Sequence, residues 1–220
     1  MDNSWTSVET TLPCVPLPPS SQRESIRTER LVIRPMREDD LEAYHQLRLQ
    51  PEAMTGTKIG RPDRNIDESR TALSAFLPAN DNKSFLFGAF LASTSEYIGE
   101  GGVHTLESSS SGWPEIGYKF KKEFWGQGYA TEFLGAMLNA WWNLPKSQTS
   151  RRVISSSIER RSESEAVEQV FAITAQANKG SQRVLEKLGF IRFLEWTEPD
   201  TQEHRLGQPV TLIGYRFSKR

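Results

Sequence analysis

The sequence predicts an α+β (mixed α/β) domain, and three observations support that class. Several short runs alternate apolar and polar residues or are continuously apolar, as strands do, whereas other segments carry apolar residues at helical spacing. In chain order these patterns give one strand, two helices, three strands, a helix, a strand, a helix and two strands. The chain has 220 residues, of which 36% are hydrophobic, so it is long enough to bury a substantial core.

The amino-terminal segment differs from the rest in composition. Residues 1–26 are rich in Pro, Ser and Thr and contain few large apolar side chains. Such a segment buries too little apolar surface to offset the entropy lost on ordering. We therefore expect residues 1–26 to be a disordered or loosely attached tail, and residues 27–220 to form a single domain.

The first half of that domain begins with a strand and two helices. Leu31 and Ile33 alternate with their neighbours as in a strand, and the segment REDDLEAYHQLRLQ carries apolar residues at helical spacing. A second helical pattern covers residues 67–77. The stretches SFLFGAFLA, YIGEGGVHTL and PEIGYKFK then predict three successive strands.

The second half contains the longest helical pattern. Its apolar residues form one wide face: Phe133, Leu134, Met137, Leu138, Trp141 and Trp142. A Ser- and Arg-rich stretch at about residues 145–166 predicts an exposed polar insertion. The strand VFAITAQA follows, then a short helix that Gly189 ends, and finally the strands FIRFLEW and PVTLIGYRF.

Composition and charge exclude several functional classes. The formal net charge of −1 provides no bulk attraction for nucleic acid or an anionic membrane. Cys14 is the only cysteine, which excludes an intramolecular disulfide and a cysteine-based zinc cluster. No run approaches the ~18 apolar residues of a transmembrane helix, and the first residues lack the features of a secretory signal. We expect a cytoplasmic protein, with the nucleus as an alternative location, and no metal, membrane or nucleic-acid partner.

Two glycines precede the longest helix. Because Gly126 and Gly128 lack a Cβ, the chain there can adopt positive φ and a ligand can approach the backbone. The free amides of a helix start then suit a phosphate or pyrophosphate, although a plain strand-to-helix turn uses the same glycines. A dinucleotide fingerprint is excluded because Thr131 stands where its third glycine belongs, and no Lys-Ser/Thr pair follows Gly128 as a P-loop requires.

Four stretches in order carry a resemblance to a known superfamily. They are TERLVIRPM, EIGYKF, WGQGYATE and the segment NKGS…VLEKLGF, and the resemblance extends from Thr28 to Phe217. The chain resembles the GCN5-related N-acetyltransferases (GNAT), in the ribosomal-protein-alanine N-acetyltransferase-like branch. The resemblance implies the acyl-CoA N-acyltransferase fold, a central twisted, mixed, mostly antiparallel sheet flanked by helices. It also implies acetyl-CoA as cosubstrate and a primary amine as acceptor.

The resemblance assigns the coenzyme to the glycine loop. The amides of residues 127–131 would hold its diphosphate, and amides around Lys119 to Lys121 would pair with its pantetheine arm. The implied coenzyme-binding residues are Phe120, Lys121, Trp125, Gly126, Gln127, Gly128, Tyr129, Ala130, Thr131, Asn178 and Ser181. Trp125 departs from the Arg or Gln usual at the first loop position. An N-cap would use the Asn178 side chain equally well.

The resemblance also implies direct attack of the amine on the thioester in a ternary complex. Glu115, at the start of the strand that leads to the loop, is the favoured general base, and Glu100 and His104 remain alternatives. The tyrosine that usually protonates the departing thiolate is absent, because Leu185 occupies its position. Ser181 is the implied substitute.

The acceptor remains open between a protein N-terminus, a lysine and a small-molecule amine. The segments Gln50 to Asn65 and Thr197 to Gln208 are expected to select it, and the acidic residues of the second segment would suit a cationic amine. A catalytically inactive coenzyme A-binding regulatory module is one alternative function, and a scaffold that uses the polar insertion is another. The expected assembly is a monomer or a homodimer.

Overall fold

The computed structural model describes residues 4–162 and 165–219. Its strands are β1 (Trp5–Pro13), β2 (Ile26–Arg27), β3 (Leu31–Arg34), β4 (Phe85–Leu91), β5 (Tyr97–Thr105), β6 (Glu115–Phe120), β7 (Lys146–Ile154), β8 (Gln169–Ala175), β9 (Ile191–Pro199) and β10 (Pro209–Ser218). Its helices are α1 (Leu41–Arg48), α2 (Pro51–Met54), α3 (Ile66–Leu73), α4 (Tyr129–Trp142) and α5 (Lys179–Lys187). Within these described ranges, no helix is long and apolar enough to cross a membrane.

A large mixed sheet forms the centre of the fold. In the described part of the chain it has eight strands in the order β2-β3-β4-β5-β6-β8-β10-β9. Neighbouring strands run antiparallel except β6 and β8, which are parallel. The predicted mixed, mostly antiparallel sheet is therefore confirmed.

Helices cover both faces of the sheet. The apolar face predicted for α4 is buried against one side, where α5 also packs through Leu185. On the opposite side, α1 contributes Tyr44 and Leu47 to a second cluster that also contains Leu73 of α3 and Tyr97 of β5. These two layers fix where α4 and α5 begin relative to the strands that precede them.

The parallel pair β6 and β8 is joined for only a short distance. Its register comprises Glu115 opposite Phe171 and Ile116 opposite Ala172. Beyond Ile116 no further β6–β8 pairing occurs among the described residues, so the two strands separate towards their carboxyl ends. Because α4 follows β6 and α5 follows β8, both helices begin beside this opening. Crevices at the carboxyl ends of parallel strands are common ligand sites in α/β sheets.

The amino-terminal segment is ordered, contrary to the expectation of a loose tail. Strand β1 pairs antiparallel with β7 from Trp5 opposite Ile154 to Pro13 opposite Lys146. The few large apolar residues of the segment fall at alternate positions, so Val8 and Leu12 both point inwards. Backbone pairing needs no apolar side chains, and composition therefore underestimated the order of this segment. Residues 1–3 lie outside the described part of the chain.

The expected polar insertion is also largely regular structure. Its first part is β7, whose polar side chains lie on a two-stranded ribbon with β1. The ribbon packs on the main sheet through a cluster that contains Val8, Trp113, Val153 and Phe171. Residues 163–164 of the expected insertion lie outside the described residues.

Candidate active site

The glycine loop between β6 and α4 presents a row of free amides. Gly126 and Gly128 have φ of +72° and +86°, and Gly128 is the N-cap of α4 without a side chain to cap it. The first backbone bond into the helix runs from Glu132 N to Gly128 O at 3.0 Å. In the described hydrogen-bond network, the amides of residues 127–131 have no protein acceptor. A Cβ at Gly126 would meet no heavy atom within 4 Å, so an anion has room there.

Arg30 holds this loop, and sequence reasoning did not assign it to the site. Its Nη1 donates to the carbonyl of Gln127 at 2.9 Å. Since the carbonyl and the next N–H of a trans peptide point in opposite directions, this bond turns the Gly128 amide away from Arg30. The guanidinium also lies 4.4 Å from the centroid of the Tyr129 ring. Arg30 therefore fixes the orientation of the peptide between Gln127 and Gly128, whose N–H points away from the guanidinium.

Glu132 completes the clamp on the loop. Its carboxylate accepts hydrogen bonds from Thr28 Oγ1 at 2.6 Å, from Arg30 N at 2.9 Å and from Arg30 Nε at 2.7 Å. Burial by itself raises the pKa of the Glu132 carboxyl, but these hydrogen bonds and the Arg30 charge outweigh it and lower that pKa below its ordinary value. Thr28 and Arg30 stand in the TERLVIRPM stretch, yet no local pattern relates them to a glutamate so distant in the chain.

Two predicted coenzyme-binding residues have other roles in the structure. The Phe120 side chain is buried and packs edge-to-face on Phe133, with ring centroids 5.6 Å apart. The Lys121 amide donates to Ile98 O at 2.9 Å, and its Nζ pairs with Glu96. Lys121 therefore has neither a free amide nor a free ammonium for the coenzyme.

The free edge of β6 lies on the side of the opening. Hydrogen bonding alternates along an antiparallel ladder, and Lys121 donates towards β5. The amides of Tyr118 and Phe120 consequently face the gap left by β8. Trp125, which is half exposed, is tied to the same strand end because its Nε1 donates to Phe120 O at 2.8 Å.

The start of α5 forms the other side of the opening. Asn178 is the N-cap of this helix, and its Oδ1 accepts from Ser181 N at 3.0 Å. The Tyr118 hydroxyl donates to the Ser181 carbonyl at 3.3 Å across the gap. Burial raises the pKa of the Tyr118 hydroxyl to about 12, against a smaller lowering by this hydrogen bond. Leu185, at the position where the resemblance led us to look for the proton-donating tyrosine, is buried in the core and has no proton to donate.

Two of the three candidate bases lie together. Glu115 Oε2 accepts from Ser108 Oγ at 2.5 Å, and Glu115 Oε1 lies 3.5 Å from His104 Nε2. His104 is the extra residue of a β-bulge, since Val103 pairs with Ile116 and Thr105 pairs with Glu115. A bulge changes the direction of a side chain, and here it brings the imidazole to the carboxylate.

Glu100, the third candidate, is committed elsewhere. It is buried and forms an ion pair with Lys119, under Tyr44 of α1. Burial by itself favours the neutral amine, but the Glu100 carboxylate and Tyr44 raise the pKa of Lys119 above its ordinary value. The Lys119 ion pair occupies the Glu100 carboxylate, and the structure separates it from the Glu115–His104 pair.

The two predicted acceptor-selecting segments contact each other. Gln202 Nε2 donates to the carbonyls of Thr55 and Thr57 at 2.7 and 2.8 Å. Gln50 reaches the other side of the opening, where its Oε1 accepts from Lys122 N at 2.8 Å. Residues 50–65 therefore connect the approach to the glycine loop with the β9–β10 loop.

The acidity expected to attract a cationic amine is compensated in the structure. Glu203 pairs with Arg61 at 2.8 Å and with Arg64 at 2.9 Å. Asp200 pairs with Arg205. Two of the three carboxylates of this loop thus hold neighbouring arginines, whereas Glu198 accepts a hydrogen bond from Trp196 Nε1 at 2.8 Å. The loop therefore presents less negative charge than its sequence suggested.

Comparison with curated proteins finds an N-acetyltransferase. A curated relative, the uncharacterized N-acetyltransferase p20 of Bacillus licheniformis, is 26% identical over 117 residues. The match covers 53% of this chain and 65% of that protein, so the chain spans less than two thirds of the relative's length.

Solved structures share the fold over nearly the whole chain. An acetyltransferase (GNAT family) from Bacillus anthracis has a TM-score of 0.65 at 20% identity, covering 89% of this chain and 98% of that chain. RimL, a ribosomal L7/L12 alpha-N-protein acetyltransferase in complex with coenzyme A, has a TM-score of 0.65 at 16% identity, with the same coverage. The family model for the acetyltransferase (GNAT) domain matches residues 30–191. The chain belongs to the GNAT acetyltransferase family.

Proposed function

We propose that this protein is an acetyl-CoA-dependent N-acetyltransferase that acts on a primary amine by direct attack in a ternary complex. Membership of the GNAT family indicates acyl-CoA-dependent transfer. The single observation that carries the proposal is the row of free amides at residues 127–131. It directly follows Gly126, beside which there is open space. Backbone amides need no reorganisation to bind a diphosphate.

The bound cosubstrate would supply an activated thioester beside the opening. The Tyr118 and Phe120 amides at the free edge of β6 are donors for its amide-bearing arm and carbonyl. Across the gap, the Ser181 hydroxyl has no partner in the described hydrogen-bond network and can donate a proton to the departing thiolate. The coenzyme-side residues of this proposal are Tyr118, Phe120, Trp125, Gly126, Gln127, Gly128, Tyr129, Ala130, Thr131, Asn178 and Ser181.

Glu115 is the proposed general base. An attacking amine must lose a proton, because an α-amino group has a reference pKa near ~8 and a lysine near ~10.4. The Glu115 side chain is 16% exposed, and Ser108 holds one of its oxygens. A positioned carboxylate of this kind can take the proton directly or through one water.

A panel assay of acetyl transfer tests the proposal. Purified protein is mixed with acetyl-CoA and either an N-terminal peptide, a lysine peptide or a polyamine, and free thiol and acetylated product are both measured. The proposal expects saturable product formation with at least one acceptor, together with a calorimetric binding signal for acetyl-CoA. Absence of any heat with acetylated or free coenzyme would refute it.

A catalytically inactive coenzyme A-binding module is the second candidate, and one observation favours it. Leu185 is buried where the usual proton-donating tyrosine would stand. A rise in Tm with acetyl-CoA but no turnover on any amine would support this candidate over the first.

A further inference from the structure

The surroundings of Glu115 contain a second proton-carrying group. His104 Nε2 lies 3.5 Å from Glu115 Oε1, and the His104 side chain is 44% exposed whereas that of Glu115 is 16% exposed. The carboxylate is thus the inner group of the pair and the imidazole is the outer group, in contact with solvent.

Two structural features hold this pair together. The bulge in β5 adds His104 opposite the Ile116–Glu115 step of β6. Ser108 donates to the opposite oxygen, Glu115 Oε2, and so leaves Oε1 for the imidazole.

The other charged groups near the pair have partners of their own. On the same two strands, Glu100 pairs with Lys119. In the loop after β5, Glu107 pairs with Arg151 of β7 at 3.0 Å. Within the described residues, Glu115 is therefore the charged group that the His104 ring contacts.

The geometry points to a two-step proton relay in which His104 is a positioning and proton-shuttling residue that acts through Glu115. The acceptor ammonium gives its first proton to the Glu115 carboxylate. The neutral amine forms an N–C bond to the acetyl carbonyl carbon as the C–S bond breaks, and its second proton passes through the Ser181 hydroxyl to the departing thiolate. The Glu115 carboxylic acid gives the first proton from Oε1 to His104 Nε2, and the imidazolium releases one proton to the water that it faces. Histidine is the side chain best suited to exchange protons near neutral pH. This inference rests on the proposed acetyl transfer to an amine.

The relay would return Glu115 to its charged form after each transfer. Because Glu115 is the inner group of the pair and His104 the outer group, the imidazole offers the proton a defined route from the carboxyl group to solvent. The inference therefore predicts an effect on turnover rather than on coenzyme binding. It also predicts that the His104 contribution disappears when Glu115 is replaced.

The test uses His104→Gln, His104→Ala, Glu115→Gln and the double variant on the full chain, with the acceptor found in the panel assay. His104→Gln should lower kcat about tenfold, less than the roughly 10²- to 10⁴-fold contribution of a group that acts on the substrate directly, and should change the pH profile of kcat/KM. Added imidazole should restore part of the rate of His104→Ala. The double variant should be no slower than Glu115→Gln alone, because the two residues act in series.

Two controls separate the possible failures. Coenzyme affinity by calorimetry and the Tm should match the wild type, which shows that the variants are folded. An active wild type whose rate and pH profile are unchanged by His104→Gln would overturn the relay and leave the proposed function standing. A wild type that transfers acetyl to no amine would overturn the proposed function, and the relay with it. Further slowing of the double variant by loss of His104 would also overturn the series arrangement.

Discussion

The proposed coenzyme loop and the proposed acceptor face of this protein are built from different parts of the chain. The loop uses backbone amides from one continuous segment, residues 125–131 at the start of α4. The acceptor face uses side chains from β5, β6, residues 50–65 and the β9–β10 loop, which are distant in sequence. A loop of free backbone amides can therefore be recognised from a short motif. A cluster of side chains from distant segments instead depends on how the strands are paired.

The five variants that follow test this contrast. They are ordered from the largest expected effect to the smallest.

Glu115→Gln should give the largest effect and leave the coenzyme loop intact. Loss of the general base is expected to lower kcat by about 10²- to 10⁴-fold, the usual range for such groups, with coenzyme affinity unchanged. Steady-state kinetics and calorimetry measure the two quantities. Glu107→Gln is the matched control, because Glu107 is an exposed carboxylate on the adjacent loop that pairs with Arg151. Equal losses in both variants would remove Glu115 from its proposed role.

Gly126→Ala should show the reverse pattern. A methyl group in the anion site is expected to weaken coenzyme binding by about 1–3 kcal/mol, the usual cost of overpacking. Gly207→Ala is a matched control for backbone strain, since Gly207 has φ of +76° and open space around its Cβ position. Both variants should lose similar thermal stability, because an L-residue in this region costs about 1–2 kcal/mol. Retention of full coenzyme affinity by Gly126→Ala would contradict the loop assignment.

Arg30→Lys should weaken coenzyme binding less severely. A lysine cannot reach both Glu132 and the Gln127 carbonyl in the fixed geometry of a guanidinium. The expected loss is about 0.5–1.5 kcal/mol, that of one hydrogen bond. Turnover with S-acetylpantetheine, which lacks the diphosphate, should not change. A variant that loses activity equally with both thioesters would show that Arg30 supports the fold rather than the anion site.

Gln202→Ala tests whether the contact between the two acceptor-selecting segments matters. Loss of its bonds to Thr55 and Thr57 should alter KM for the acceptor about twofold to tenfold, as expected for one hydrogen bond. The KM for acetyl-CoA should stay constant, because residues 50–65 and the β9–β10 loop are proposed to serve the acceptor. A change confined to the KM for acetyl-CoA would assign residues 50–65 to the coenzyme side instead.

Glu132→Gln should give a small, pH-dependent loss of stability. The pKa of Glu132 is lower in the folded protein than its ordinary value, so its ionised form stabilises the folded state. That contribution is fully present above pH ~4.3, where a glutamate of the unfolded chain titrates, and is lost as the pH falls through the lower folded-state pKa. Urea unfolding of both proteins from pH 7 to pH 3 should show their difference shrinking. A constant difference across that range would exclude the charge as its source.

On the proposed coenzyme side of the site, the sequence predicted only the backbone conformation. Gly126 and Gly128 predicted positive φ, and the apolar stripe that follows them predicted α4. Both features are present. The family resemblance placed Lys121 in the site, yet strand alternation turns its amide towards β5. Arg30 was not assigned, because its bond to Gln127 joins residues that only the sheet brings together.

The amino-terminal strand shows the same limit for the fold. Composition predicted a loose tail, and only the partner strand β7 reveals why residues 5–13 are ordered. Neither segment is apolar enough to predict a buried strand by itself. Their backbone hydrogen bonds and the alternate apolar residues Val8 and Leu12 act together once both strands are present.

The sequence by itself determined four of the five described helices, most strands and the positive φ of the glycine loop, because these depend on the conformational preferences and periodicity of neighbouring residues. Only the tertiary structure decided the bulge that brings His104 to Glu115, the ion pair that occupies Glu100 and the clamp of Arg30 on the loop. Side-chain contacts act over a few ångströms, and the register of paired strands, rather than distance along the chain, sets which residues come that close.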